Sequence, residues 1–346
     1  MEGQLLLNKR IVELRAGIVT TLLILVALQG SCASGSGAGS RAVVEAPFRL
    51  SVTDGFTIAV IPDTQCYTSE GGGSLPAACG GPQSQITNEM FLAQARYIVE
   101  NRVTSRIVAA VGTGDIVMCG DRLSEWGNAE AGYAIIEATG LPYAAVMGNH
   151  DYDQGCGNFP NRMAVNYNNY FGPARLAARP WYGGQFPLGS NENFFIRFSA
   201  EGENFLVLAL EFNPRDSALD WASQVISDNS AATVIITINE YMNMDGQRIT
   251  AGQRVWDRLV SPNRNVILVL ESRGQTVRRV DTGSAGQTVP QLAQGYQFEE
   301  AGGNGYMRLL HFRPSMRRID VITYSPFLQR RRIDPDNDFT AEYGFR

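Results

Sequence analysis

A chain of 346 residues, 44% of them hydrophobic and 10% aromatic, can bury a large core, which excludes a wholly disordered or fibrous protein. Its formal charge of -5, with no basic stripe, excludes the electrostatic footprint of a nucleic-acid binder, so no nucleic-acid partner is expected. Lys9 is the single lysine; genome composition explains the arginine bias without invoking forked phosphate contacts.

Lys9, Arg10 and Arg15 precede an apolar run over 17–28, and small residues follow it. This pattern predicts a signal peptide over residues 1–32. An uncleaved anchor is the alternative, although the run is shorter than the roughly 20 apolar residues a bilayer needs. Cys32 stands where a bacterial lipoprotein signal places its lipidated cysteine, but Gln29 replaces the branched apolar residue of that signal. Residues 33–49 read as a linker, Gly/Ser-rich over 33–42. The expected location is extracytoplasmic: secreted, periplasmic or lipid-anchored. Membrane contact is expected only through a lipid anchor or an uncleaved signal.

Beyond Cys32 the chain has Cys66, Cys79, Cys119 and Cys156, an even number that suits an oxidising compartment. One or two disulfides are expected, with Cys66–Cys79 the first pairing because the two are near neighbours. A zinc site from these cysteines lacks a C-x-x-C spacing.

An apolar, β-branched run over 56–62 predicts a buried strand that delivers Asp63 into a loop. Thr87 is placed to cap a helix whose stripe is Phe91, Leu92, Ala95, Ile98 and Val99. A second strand over 106–111 leads to Asp115, a helix follows over 124–138, and a third strand over 143–147 leads to Gly148-Asn149-His150-Asp151. Alternating strands and helices predict a parallel sheet with right-handed crossovers. After a loop-rich insertion over 154–193, strands are expected over 194–198, 205–210, 233–238, 266–270, 306–312 and 318–324, with a helix over 217–226. The later strands lack obvious helices between them, so the second half is expected to form a more antiparallel sheet packed on the first. Residues from Gln329 onward are charged and sparsely apolar and read as a surface tail.

Three successive strands thus end in loops rich in carboxylate, amide or imidazole groups, where open α/β sheets place their sites. Asp63-Thr64-Gln65, Gly114-Asp115 with Gly120, and Gly148-Asn149-His150-Asp151 come in that order. Hard oxygen ligands such as Asp63 and Asp115 suit a divalent ion, and a carboxylate can bridge two. In this order the motifs resemble those of the calcineurin-like metallophosphoesterases: D-x-H, G-D-x-x-x-x-G, G-N-H-D/E, a lone His after a strand, and G-H-x-H. Pro180-Trp181-Tyr182-Gly183-Gly184 and Asp220-Trp221-Ala222 look like the exported bacterial branch. The resemblance covers residues 50–329 and leaves 330–346 as the tail. It implies an α/β fold of two packed mixed β-sheets flanked by helices, an α/β/β/α sandwich.

It also implies two metals of Mn, Fe or Zn type roughly 3.5 to 4 Å apart that clamp a phosphate ester. By position, Asp63 would bind the first metal, Asp115 would bridge, Asn149 would bind the second, and His150 would protonate the leaving oxygen. The departures are specific. Gln65 stands at the histidine of the first motif, Asn239 at the lone metal histidine, and Glu271-Ser272-Arg273-Gly274-Gln275 where the final histidine pair belongs. Met118 replaces a polar residue of the second motif. Neutral amides are poor replacements for imidazole, so one weak oxygen-rich site or none is expected in place of two metals, with Glu240 or Glu271 as further donors. His311, beside Leu309, Leu310 and Phe312, reads as structural. Two functions follow: a phosphate-ester hydrolase with a reduced metal set, or a catalytically silent relative that binds a phosphorylated ligand or a protein.

Overall fold

Strand β1 (Phe56–Ile61) is buried at every position, and a strand without a polar face needs cover on both sides. The computed structural model describes residues 48–69, 79–80, 85–157, 161–272 and 276–344. The expected signal peptide, Cys32 and most of the linker lie outside these residues, as do Arg273, Gly274 and Gln275. Among the described residues no helix is long and apolar enough to cross a membrane.

β1 lies inside the first of two seven-stranded sheets. The parallel strands β2 (Ile107–Gly112) and β3 (Tyr143–Ala144) follow on one side. On the other side β11 (Met307–Arg313) runs antiparallel to β1, and β12 (Arg318–Ser325) antiparallel to β11. The crossovers between these parallel strands contain α1 (Gln65–Thr68), α2 (Glu89–Glu100) and α3 (Leu123–Glu137). The buried stripe of α2 is Met90, Phe91, Gln94, Ala95, Tyr97 and Ile98, so Leu92 and Val99 fall at its margins. Asn88, not Thr87, precedes the helix, and it makes no side-chain cap. A Cβ built on Gly132 would lie 2.3 Å from the Phe91 ring, so α2 and α3 approach at a spacing only glycine allows.

The second sheet has the order β4 (Tyr182–Phe186), β5 (Asn193–Ala200), β6 (Glu203–Leu210), β7 (Thr233–Ile238), β8 (Val266–Glu271), β10 (Thr288–Ala293) and β9 (Arg278–Thr282). The expectation of a more antiparallel second half is corrected here, because β6, β7, β8 and β10 pair in parallel. The crossovers are α6 (Asp216–Asp228) and α7 (Thr250–Val255), the latter extended by a π-helical turn over Trp256–Val260. Gly252 and a β-branched start hide this helix from a periodicity reading. The expected loop-rich insertion contains α4 (Val165–Phe171), α5 (Pro173–Leu176) and β4.

Alternation along β6 shows how the layers stack. Phe205, Val207 and Ala209 join β1 in the core between the sheets, whereas Leu206, Leu208 and Leu210 pack with Leu219, Ala222 and Leu259 of the covering helices. The rings of Phe56 and Phe205 meet at 4.9 Å across the interface. The result is the expected α/β/β/α sandwich of two mixed sheets.

The charged segment after Gln329, expected as a surface tail, instead supplies two strands to the first sheet. β13 (Arg330–Arg332) pairs with Thr323, Tyr324 and Ser325, and β14 (Asp338–Glu342) pairs with residues from Arg318 to Ile322. Ala341 and Tyr343 are buried among its exposed charges, an apolar period too short to register in composition.

Candidate active site

The parallel strands β1, β2 and β3 of the first sheet and β7 and β8 of the second bring the loops after them together. Asp63 follows β1 and is 2% exposed. The Thr64 and Thr68 hydroxyls both donate to the Ile116 carbonyl at 2.8 Å, and the Gln65 amide donates to the Asp115 carbonyl at 2.9 Å. These bonds fasten the first loop to the second independently of any ligand.

Asp115 adopts φ 46°, a left-handed conformation uncommon for a non-glycine residue, and Gly114 before it has φ 107°. The turn aims the carboxylate at the third loop, where Asp115 Oδ1 accepts the His150 amide at 3.0 Å. A Cβ built on Gly148 would lie 2.1 Å from that same oxygen and 2.8 Å from Asn239 Cγ. Asp115, Gly148 and Asn239 therefore meet at one point, which explains the glycine of the G-N-H-D motif.

Asp151 ties the second and third loops from beneath. Its fully buried carboxylate accepts the Gly148 amide at 2.7 Å, the Val117 amide at 2.9 Å and the Ile116 amide at 3.1 Å. Burial pushes its pKa up, the Asp115 charge adds to that, and the three amides oppose it.

His150 is half-buried, and its Nδ1 lies 2.7 Å from the Met118 carbonyl. A carbonyl can only accept, so Nδ1 carries the hydrogen and Nε2 of the neutral ring is left bare. The Met118 backbone thus supplies the partner that orients the imidazole. A Cβ built on Gly157 would lie 3.0 Å from His150 Nε2 and 3.1 Å from Asn149 Nδ2, so this glycine stands over both. The adjacent Cys156 is disulfide-bonded to Cys119, and Cys66 pairs with Cys79 as expected.

From the second sheet, Asn239 is fully buried and directs Nδ2 at Asp63 Oδ1 and at the Thr113 carbonyl, both at 3.4 Å. The Ser272 hydroxyl also donates to Asp63 Oδ1 and lies 3.2 Å from the Thr113 carbonyl. Ser272 was not singled out from the sequence; its only signal is its place one residue past the buried end of β8. Glu271 accepts the Tyr241 amide at 3.1 Å, so one of its oxygens serves the backbone. The structure thus brings Asp63, Gln65, Asp115, Asn149, His150 and Asn239 to one end of the sandwich. His311 lies apart on β11, buried, with Nδ1 3.3 Å from Thr57 Oγ1.

The chain has a relative in Bacillus subtilis. It is 27% identical over 283 residues to the protein named "Uncharacterized protein YvnB" of strain 168, covering 80% of this chain and 20% of that protein. This chain therefore spans about a fifth of the length of the curated relative it matches. No family model matches the chain. Among solved structures, TT1561 of Thermus thermophilus is similar with a TM-score of 0.48 and 13% identity, over 79% of this chain and 99% of that one. A conserved uncharacterized protein of Streptococcus pneumoniae TIGR4, titled a predicted phosphoesterase, is similar with a TM-score of 0.33 and 9% identity, over 84% of this chain and 99% of that one.

The donor chemistry decides which cation the site suits. Among the described residues, no group of three or more His, Cys, Asp or Glu side chains is placed to hold a metal. The residues therefore do not fit a nitrogen-rich two-metal centre. Gln65 Oε1 and Asn239 Oδ1 are buried amide oxygens with no hydrogen-bond partner among the described residues, and hard cations take such oxygen donors.

Proposed function

We propose that this chain is a calcineurin-like phosphoesterase-family protein that hydrolyses phosphate esters at the strand-end site, with one hard divalent cation such as Mg²⁺ or Ca²⁺ in place of two transition metals. The observation that carries the reading is the meeting of Asp115, Gly148 and Asn239 at one point, with the Asn239 amide reaching Asp63. Ordered motifs that converge in space on carboxylates and an oriented imidazole support a reacting site rather than scattered loop residues.

Asp63 and Asp115 would hold the cation, with amide oxygens of Gln65, Asn149 and Asn239 completing the set. When bound, the ion supplies positive charge against the phosphate oxygens. Met118 fixes the ring of His150 through Nδ1, so Nε2 is the nitrogen that would take a proton from the attacking water and then hand that proton to the leaving ester oxygen. Asp151 holds the two loops that carry Asp115 and His150 in register. Two disulfides support an oxidising, extracytoplasmic location.

The second reading, a silent relative that binds a phosphorylated ligand or a protein, is favoured by one observation. Asp63 Oδ1 already accepts Ser272 and faces the Asn239 amide, so a ligand oxygen expected to meet a metal is engaged by protein donors. The deciding experiment is hydrolysis of an aryl phosphomonoester and an aryl phosphodiester in Mg²⁺, Ca²⁺, Mn²⁺ or Fe²⁺. Turnover that is cation-dependent and lost in Asp115→Asn supports the hydrolase. No turnover in any cation, with retained binding of a phosphorylated ligand, supports the silent relative.

A further inference from the structure

The residues next to Cys119 and Cys156, joined by a disulfide, approach the His150 imidazole at its two nitrogens. Cys119 follows Met118, whose carbonyl receives His150 Nδ1 at 2.7 Å, and Cys156 precedes Gly157, whose built Cβ would lie 3.0 Å from His150 Nε2. The two halves of this clasp are unequal. On its inner half, Cys119 is 1% exposed and its amide donates to the buried Glu125 carboxylate at 2.8 Å. Gly120 next to it donates to the His150 carbonyl at 3.0 Å and accepts Trp126 Nε1 and Asn166 Nδ2, each at 2.9 Å. On its outer half, Cys156 is exposed between Gly155 at φ 75° and Gly157 at φ 77°. A Cβ built on Gly155 would meet nothing within 4 Å. The covalent bond thus joins an exposed residue flanked by two left-handed glycines to a rigid base.

We infer that Cys119 and Cys156 act as positioning residues for His150: their disulfide holds the Gly157 wall over Nε2 and keeps the ring on the Met118 carbonyl. The inference rests on the reading of His150 as the group that exchanges a proton with the ester. Reduction of the bond by a dithiol, two electrons and two protons giving two thiols and the oxidised dithiol, releases the wall while Glu125, Trp126 and Asn166 keep the base in place. The Nε2 side then opens, and the ring is free to leave Met118.

With two histidines in the whole chain, long-range 1H–15N spectra read this directly, because remote His311 serves as the internal reference. In the oxidised protein His150 is expected as the Nδ1–H form. In Cys119→Ser/Cys156→Ser its signature should move to an average of the two tautomers, with His311 unchanged. A Cys66→Ser/Cys79→Ser variant should leave His150 as it was. If the double variant does not fold, the same spectrum of the wild-type protein reduced with dithiothreitol replaces it. Aryl phosphate hydrolysis should fall by about 10- to 100-fold on the same change. An unchanged His150 signature after loss of the bond overturns the inference. A changed signature in a protein that hydrolyses no ester in either state keeps the positioning role and overturns the hydrolase reading instead.

Discussion

Asn239 Nδ2 lies 3.4 Å from Asp63 Oδ1, so an amide from the second sheet turns a donor toward the first carboxylate of the site. A metal-binding histidine at that position would offer a lone pair; the amide offers a hydrogen from one end and a neutral oxygen from the other. Replacing both neutral amides by imidazole, in Gln65→His/Asn239→His, should raise Mn²⁺ or Zn²⁺ affinity by about 10-fold or more, read by isothermal titration calorimetry. A folded variant whose transition-metal affinity does not rise would show that these positions do not face the cation.

Gly148 is predicted to be irreplaceable at the site. The Cβ of Gly148→Ala would fall 2.1 Å from Asp115 Oδ1 and 2.4 Å from the Asp115 amide. The loop must shift and carry Asn149 and His150 with it, so cation binding and hydrolysis should be lost while the fold survives. A control at Gly127, where a Cβ meets nothing within 4 Å, should leave both intact.

Asp151→Asn should destabilise the protein by about 2–4 kcal/mol, because one amide oxygen must replace a carboxylate that accepts from Gly148, Val117 and Ile116, and its NH₂ would face donors. Chemical denaturation measures the loss. A change under about 0.5 kcal/mol, the size of a surface substitution, would mean that these bonds do not join the loops.

His311 gives a pH dependence unconnected with the site. Burial, with Arg313 second, lowers its pKa, while Asp320 and Asp54 oppose the shift. The unfolded chain then binds the proton more readily, so stability should fall as pH drops below about 6.5, through the ordinary histidine range toward the lowered value. In His311→Asn this acid-side loss should be smaller when thermal midpoints are followed against pH. An identical slope in variant and wild type would refute the assignment.

The last strands yield a further test of packing. Truncation before Arg330 removes β13 and β14, strips the edge of β12 and takes away buried Ala341 and Tyr343. The truncated chain should lose about 3 kcal/mol or more of stability and expose an unpaired edge that favours aggregation. A chain of unchanged thermal midpoint would restore the reading of this segment as a tail.

What was legible in the sequence was the chemistry that sits next to a strand. Asp63, Asp115, Asn149 and His150 each lie within a few residues of an apolar run, so order along the chain predicted convergence in space. The disulfide of Cys66 with Cys79 was legible for the same reason of proximity. Ser272 was not, because its bond to Asp63 joins loops 209 residues apart in sequence, on different sheets. The role of Met118 was hidden since its side chain is irrelevant to it: the backbone carbonyl orients His150. The parallel character of the second sheet was missed because α7 and its π-helical turn carry no clean helical period, and β14 because its apolar residues alternate among charges for only a few positions.

The central claim, a site for one hard cation in place of two metals, is tested most directly by calorimetric titration of the metal-stripped protein with Mg²⁺, Ca²⁺ and Mn²⁺, with Asp115→Asn as control. The account predicts one equivalent of Mg²⁺ or Ca²⁺, with binding abolished in the variant. Two equivalents of a transition metal, or no binding of any of the three ions, would contradict it.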